Sequence, residues 1–192
     1  RRVDGLANKA PFVRTRALLL RVAALAAALA LVPSQARPAR AELWALDVGH
    51  GTALLLRSPT AGTWLFDAGS RDRPDVARQA LGPALAGFET AELAVVLSHL
   101  DLDHQEALPW VVERYRVRLW AGALPAHTAE RLPHGTPCID LDRGFVPLCS
   151  GPVELALGRG HAGTGNEGSR VLRVRAAGRT ALLLGDAEAE GL

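Results

Sequence analysis

The sequence predicts a layered α/β domain, and three observations lead there. The body of the chain opens as a meander of short apolar runs and then alternates strand-like with helix-like segments. One run, ELAVVLS (92–98), is apolar almost throughout, as a strand buried on both faces should be. With 192 residues, 48% of them hydrophobic, the chain has enough apolar material for one sizeable core. That content excludes a disordered chain, and a count of two cysteines excludes a disulfide scaffold.

Taken in order, ELWALDV (42–48) reads as a strand followed by the turn residues Gly49 and Gly51. TALLLR (52–57) and TWLF (63–66) flank Ser58-Pro59-Thr60-Ala61-Gly62, whose turn chemistry makes them a hairpin. DVARQALGPAL (75–85) has helical spacing with Asp72 or Asp75 near its start. After the buried strand, EALPWVVERY (106–115) reads as helical beyond Pro109 and VRLWAG (117–122) as a strand. The stretch 123–152 reads mostly as loop, and VELAL (153–157), RVLRVRA (170–176) and TALLLG (180–185) close the series as strands.

Charge divides the chain. Residues 1–40 carry eight Arg or Lys against the single Asp4, a balance of +7, while residues 41–192 carry 14 against 19, a balance of −5. A body of acidic balance lacks the broad basic face of a sequence-independent nucleic-acid clamp. Within the basic part, residues 17–32 are apolar except for Arg21. The run is shorter than the roughly 20 residues of a comfortable transmembrane helix. It reads either as a signal peptide or as the last membrane helix of a multispan protein. Both readings place the body outside the cytoplasm, because Arg1, Arg2, Lys9, Arg14 and Arg16 precede the run and only Arg37 and Arg40 follow it closely. The domain division is thus 1–40 as leader and linker and 41–192 as the folded domain. The chain contains no methionine, not even at position 1, and is expected to be a piece of a longer one. Cys138 and Cys149 could close a loop worth roughly 3 kcal/mol in an oxidising compartment, or stay as buried thiols.

The densest polar cluster, SHLDLDH, follows directly on the buried strand and supplies His99, Asp101, Asp103 and His104 within a few residues. Carboxylates crowded in this way need positive charge between them, and His with Asp suits a divalent ion. In an extended loop His99, Asp101 and Asp103 would point one way, with a bend returning His104. One ion could then sit at His99 and Asp101, and a neighbouring one at Asp103 and His104. Asp47, Asp67 and Asp186 add acids at further strand ends, each beside a glycine. Asp186 could bridge two ions.

The segments LDVGHG, LFDAGS, VVLSHLDLDH, NEGSRVLRV and ALLLGDAEAEGL, in that order, resemble the metallo-β-lactamase-like domain of ComEC-type DNA internalisation proteins over residues 43–192. The resemblance implies an αββα sandwich, incomplete at the C-terminus, behind a membrane segment. It also implies a phosphodiesterase or nuclease that degrades the DNA strand not imported, using one or two divalent ions, zinc or manganese. The ligands would be His99, Asp101, Asp103, His104 and Asp186, with Asp103 and Asp186 also handling protons, and Asn166 and Ser169 would meet the substrate. DNA, the membrane and other competence proteins are the implied partners, and the intact protein would be a multi-pass inner-membrane protein with this domain on the extracytoplasmic side.

There are departures from that pattern. His50 stands where the family has glutamine, and Gln105, Glu106 and Ala107 replace a glycine pair, setting a charge at the rim. Gly158-Arg159 stands for a His-Pro, with His161 a few residues on, and the chain ends at Leu192 before a distal histidine-rich motif. Loss of that part is expected to remove a metal ligand and the second half of the sandwich. Two other readings follow: an inactive remnant of such a domain, or a secreted metallo-hydrolase of another substrate class.

Overall fold

The computed structural model describes residues 40–159 and 165–187, all within one unit of the chain, Arg37–Leu192. The apolar run at 17–32 and His161 lie outside the described residues. Among those described, no helix is long and apolar enough to cross a membrane.

Six strands form the first sheet in chain order: β1 (Glu42–Ala45), β2 (Leu54–Ser58), β3 (Gly62–Phe66), β4 (Glu92–Leu97), β5 (Arg116–Gly122) and β6 (Cys138–Ile139). The first three are antiparallel, and β3 through β6 run parallel. The predicted hairpin closes at the Ser58–Gly62 pair, where the Ser58 hydroxyl accepts the Ala61 N–H at 3.0 Å. A second sheet, β10-β9-β8-β7, is wholly antiparallel: β7 (Gly144–Cys149), β8 (Val153–Arg159), β9 (Arg170–Ala176) and β10 (Arg179–Leu183).

Strand alternation sorts the apolar residues into two cores. In β4, Leu93, Val95 and Leu97 face a core shared with Val76, Leu81, Leu85, Leu108 and Val111 of the helical layer. Ala94 and Val96 face the other way, into a core shared with Leu155, Leu157, Leu172 and Val174 of the second sheet. The continuous apolar run at 92–98 is therefore the central strand of a three-layer stack. The buried indoles keep their N–H groups satisfied, Trp64 donating to the Ala61 carbonyl and Trp120 to that of Ala123, both at 2.8 Å.

Three differences from the sequence reading have local causes. The helix expected over 75–85 begins as one π-helical turn, Ala77–Leu81, and becomes regular only in α1 (Gly82–Gly87). Pro83 cannot donate to the carbonyl four residues back and its ring crowds that position, so the turn widens and the Gly82 N–H reaches Ala77. The extended loop expected at SHLDLDH is instead a helical turn, α2 (Leu102–Gln105), followed by α3 (Leu108–Arg114). The stretch 123–152 contains α4 (Ala126–Ala129), β6 and β7. Pro147 hides β7 from a sequence reading, and it is tolerated because β7 is an edge strand.

The second half of the sandwich, expected to be lost, is present as a four-stranded sheet. Its outer face carries no helix among the described residues, and Phe145 and Leu182 are half exposed there. Neither cysteine is bridged: Cys138 is exposed, and Cys149 packs partly buried against the inter-sheet core.

Candidate metal centre

The chemistry gathers where β3 and β4 end. Asp67 follows β3 directly, wholly buried, with a left-handed backbone (φ 54°) that Asp tolerates better than most residues. Its amide donates to the Val96 carbonyl at 2.9 Å, which fixes the residue against the end of β4. From there its carboxylate accepts three hydrogen bonds: the Ser98 amide at 2.7 Å, the Ser98 hydroxyl at 2.8 Å and His104 Nδ1–H at 2.8 Å.

This network sets both imidazole tautomers. Since the single Ser98 hydroxyl proton goes to Asp67, the Ser98 oxygen must accept from His99 Nδ1–H, 2.9 Å away. Both rings therefore carry a proton on Nδ1, which leaves Nε2 as the nitrogen that can face an ion. The rings lie 4.1 Å apart between centroids. His104 Nε2 approaches Asp186 Oδ1 at 3.2 Å, while His99 Nε2 is buried and has no hydrogen-bond partner. Burial lowers the His99 pKa below the usual imidazole value, helped by the neighbouring His104. Burial also pushes down on His104, but the Asp67 hydrogen bond and charge, with Asp186 and Asp103, outweigh it and raise its pKa.

Two glycines make the approach possible. A Cβ on Gly69 would lie 2.5 Å from the Leu102 carbonyl oxygen, so the β3 end could not otherwise press against α2. A Cβ on Gly185, at φ +57°, would meet the Ser98 side chain at 2.7 Å, and this close passage brings Asp186 to the histidines.

Donor atoms of His99, His104 and Asp186 all fall within 4.8 Å of one another. A buried imidazole nitrogen without a partner is costly unless something occupies its lone pair. Two imidazoles and one carboxylate form a donor set that fits a divalent ion, zinc in particular. Here the buried Asp67 and the Ser98 hydroxyl behind the rings orient them for such an ion.

The remaining residues singled out in the sequence are placed differently. Asp101 is half exposed, its carboxylate 3.6 Å from His99 Nε2. Asp103 lies outside the donor group, with Oδ2 3.5 Å from the Arg71 guanidinium. In α2 successive helical residues diverge by about 100°, and the Asp103 carboxylate takes the direction of Arg71. Ser169 is buried behind His99, its hydroxyl 3.4 Å from Nδ1, which is the side away from Nε2. Asn166 lies in a 3-10 turn, Gly165–Gly168, and its carbonyl accepts the Ser169 N–H. Next to Ser169, Arg170 at the start of β9 forms a two-pronged ion pair with Asp140, a contact outside the sequence reading. Asp47 does not reach the site: its side chain is 94% exposed and pairs with Arg73. Glu106 sets no charge at the rim but lines a cleft with Asp75, Arg78 and Trp110, where burial, and then Asp75, raise its pKa. The buried Gln105 amide donates to the Leu100 carbonyl. Sequence reasoning passed over Ser98 and Arg71. Nothing local marks either one, because their partners lie 31 and 32 positions away.

No family model and no curated protein matches the chain. Among solved structures, the chain is similar to the metallo-β-lactamase fold protein YhfI from Bacillus subtilis, at 16% identity and TM-score 0.45 over 72% of this chain and 55% of that one. It is similar to Rm3 metallo-beta-lactamase at 19% identity and TM-score 0.47, over 73% of this chain and 56% of the other. A protein of unknown function from Enterococcus faecalis V583 matches at 15% identity and TM-score 0.43, over 78% and 44%. The chain thus spans little more than half the length of the first two.

Proposed function

We propose that this chain is the metal-dependent hydrolase domain of a membrane DNA-uptake protein, cleaving phosphodiesters of the strand that is not imported. The observation that carries the metal reading is His99 Nε2: buried, without a hydrogen-bond partner, and grouped with His104 and Asp186. The phosphodiester reading is supported by the ordered motifs between Leu46 and Leu192 that resemble ComEC-type proteins. An extracytoplasmic position for this domain, in an inner-membrane protein, is supported by the basic residues that precede the apolar run at 17–32.

His99, His104 and Asp186 would hold the ion. A divalent cation bound there supplies Lewis acidity, lowering the pKa of water and neutralising charge that develops at phosphorus. Two imidazole donors favour zinc over manganese. The chain's own groups do the positioning. Asp67 holds the His104 ring in one tautomer, and Ser98 passes that constraint to His99. Asp186, 43% exposed, is open enough to accept a proton or orient a nucleophile at the surface of the site.

The test is hydrolysis of single-stranded DNA and of bis(p-nitrophenyl) phosphate by the full chain, before and after chelation. Activity should need added zinc and vanish in His99→Ala. Undiminished hydrolysis in the chelated protein or in His99→Ala would rule out this site. Zinc bound without any phosphodiester cleavage would remove the substrate assignment and leave the metal centre.

A further inference from the structure

The second sheet reaches the site through the start of β9, and that start is anchored twice. The Arg170 N–H donates to the Ser98 carbonyl at 2.9 Å, joining the start of β9 to the end of β4 and so one sheet to the other. Ser98 is also the residue whose hydroxyl donates to Asp67 and accepts from His99 Nδ1–H. One position before Arg170, the buried Ser169 places its hydroxyl 3.4 Å from the same nitrogen. The Arg170 side chain, only 12% exposed, is held in turn: Nε donates to Asp140 Oδ1 at 2.9 Å and Nη2 donates to Oδ2. Asp140 opens the short passage, 140–143, that leads from β6 in the first sheet to β7 in the second. Arg159, opposite Arg170 in the β8–β9 ladder, donates from Nη1 to the Leu141 carbonyl of that passage at 3.3 Å.

Two features decide what this pair does. Arg170 is not placed as a phosphate ligand, because all three guanidinium nitrogens already have acceptors within the chain, Nη1 reaching the Gly168 carbonyl at 3.5 Å. The pair is also strong where strand pairing is weak: β6 holds to β5 through only Cys138 and Ile139. A forked guanidinium–carboxylate contact fixes direction as well as distance. Burial pushes the Asp140 carboxyl up, but the Arg170 hydrogen bonds, the Leu141 amide and the charges of Arg170 and Arg159 hold it below its ordinary value. Loss of one partner would leave a buried charge that has to move towards water, and the start of β9 would move with it. We infer that the Arg170–Asp140 pair is a positioning device for the metal centre: it fixes the start of β9, the Arg170 N–H fixes the Ser98 carbonyl, and the Ser98 oxygen then holds the His99 ring. The inference rests on the metal reading of the cluster and adds two positioning residues that act through Ser98.

The experiment compares the full chain with two variants. Asp140→Asn keeps the shape of a half-exposed side chain and loses its charge, and Arg170→Lys keeps the charge and loses the fork. Val174→Ala, in the inter-sheet core further along β9, is the control for lost stability alone. Circular dichroism checks that each is folded. Two quantities are read: the His99 Nδ1–H resonance of the metal-free protein, assigned by its loss in His99→Gln, and Zn2+ affinity by chelator competition. In Asp140→Asn and Arg170→Lys the Nδ1–H should exchange faster with water and Zn2+ affinity should fall roughly 10-fold, the low end for groups that orient a ligand. Val174→Ala should leave both as in the wild type. An unchanged resonance and affinity in the folded variants would overturn the inference, and so would equal losses in Val174→Ala, which would make the pair a stabiliser only. Folded wild type that binds no Zn2+, with Nδ1–H exchange still faster in Asp140→Asn, would remove the metal reading and leave the positioning of His99 standing.

Discussion

The two sheets serve one site under opposite conditions. The centre of the first sheet is buried on both faces, and both histidines come from one stretch, Ser98 to His104, after β4, with Asp67 joining from the end of β3. The second sheet is buried on one face, and its contributions, Ser169 and Asp186, arrive from separate strand ends. The histidines are sheltered and locked by Asp67, whereas Asp186 is 43% exposed and joins only because Gly185 lets β10 end close to Ser98. The rigid half of the site is thus the half with two packed faces, and the acid that completes it is the more open one.

The largest expected effect breaks the first sheet where it meets the second. Trp64, buried in the inter-sheet core, should cost roughly 3–5 kcal/mol when replaced by Ala. A denaturant midpoint unchanged in Trp64→Ala would mean the sheets are not packed through it. Next comes the anchor. Asp67→Asn keeps the size of the side chain but loses the charged acceptor shared by Ser98 and His104. Zinc affinity should fall roughly 10–100-fold, read by chelator competition.

The loop bearing Arg71 gives a pH test. The Asp72 carboxyl is held at about 2 against an ordinary 3.8, first by the His50 ring and amide and then by Ser70. A depressed folded value means that protonation is harder in the folded state. Its contribution is therefore complete above 3.8 and is lost as pH falls toward about 2. Asp72→Asn should flatten that part of the acid-unfolding curve, read as a smaller loss of melting temperature between pH 3.8 and about 2 than in the wild type. The smallest effect lies on the outer face of the second sheet, where Leu182→Ser should change stability by no more than about 0.5 kcal/mol. A larger loss there would show that something covers this face in solution.

Much of this was legible in the residues themselves. A run such as ELAVVL, apolar almost throughout, reads as a strand buried on both faces, and the histidines that follow it then sit at its end. The hairpin at 58–62 was equally local, since its turn residues dictate the register. Pro147 hid an edge strand, because edge position is a property of the sheet and not of the strand. At SHLDLDH the sequence supplied the ligand types but not their directions. Strand-like alternation and a helical turn place the same residues differently, and α2 sends Asp103 to Arg71.

By itself, then, the sequence determined what is contiguous: which strand is buried on both faces, and that two imidazoles stand at its end. Only the tertiary structure decided the partners. Asp67 lies 37 positions from His104 and Asp186 is later still, and their meeting depends on close backbone passages at Gly69 and Gly185. The physical reason is that strand and helix periods are local, whereas the hydrogen bonds and charges that orient a side chain belong to whatever the fold brings beside it.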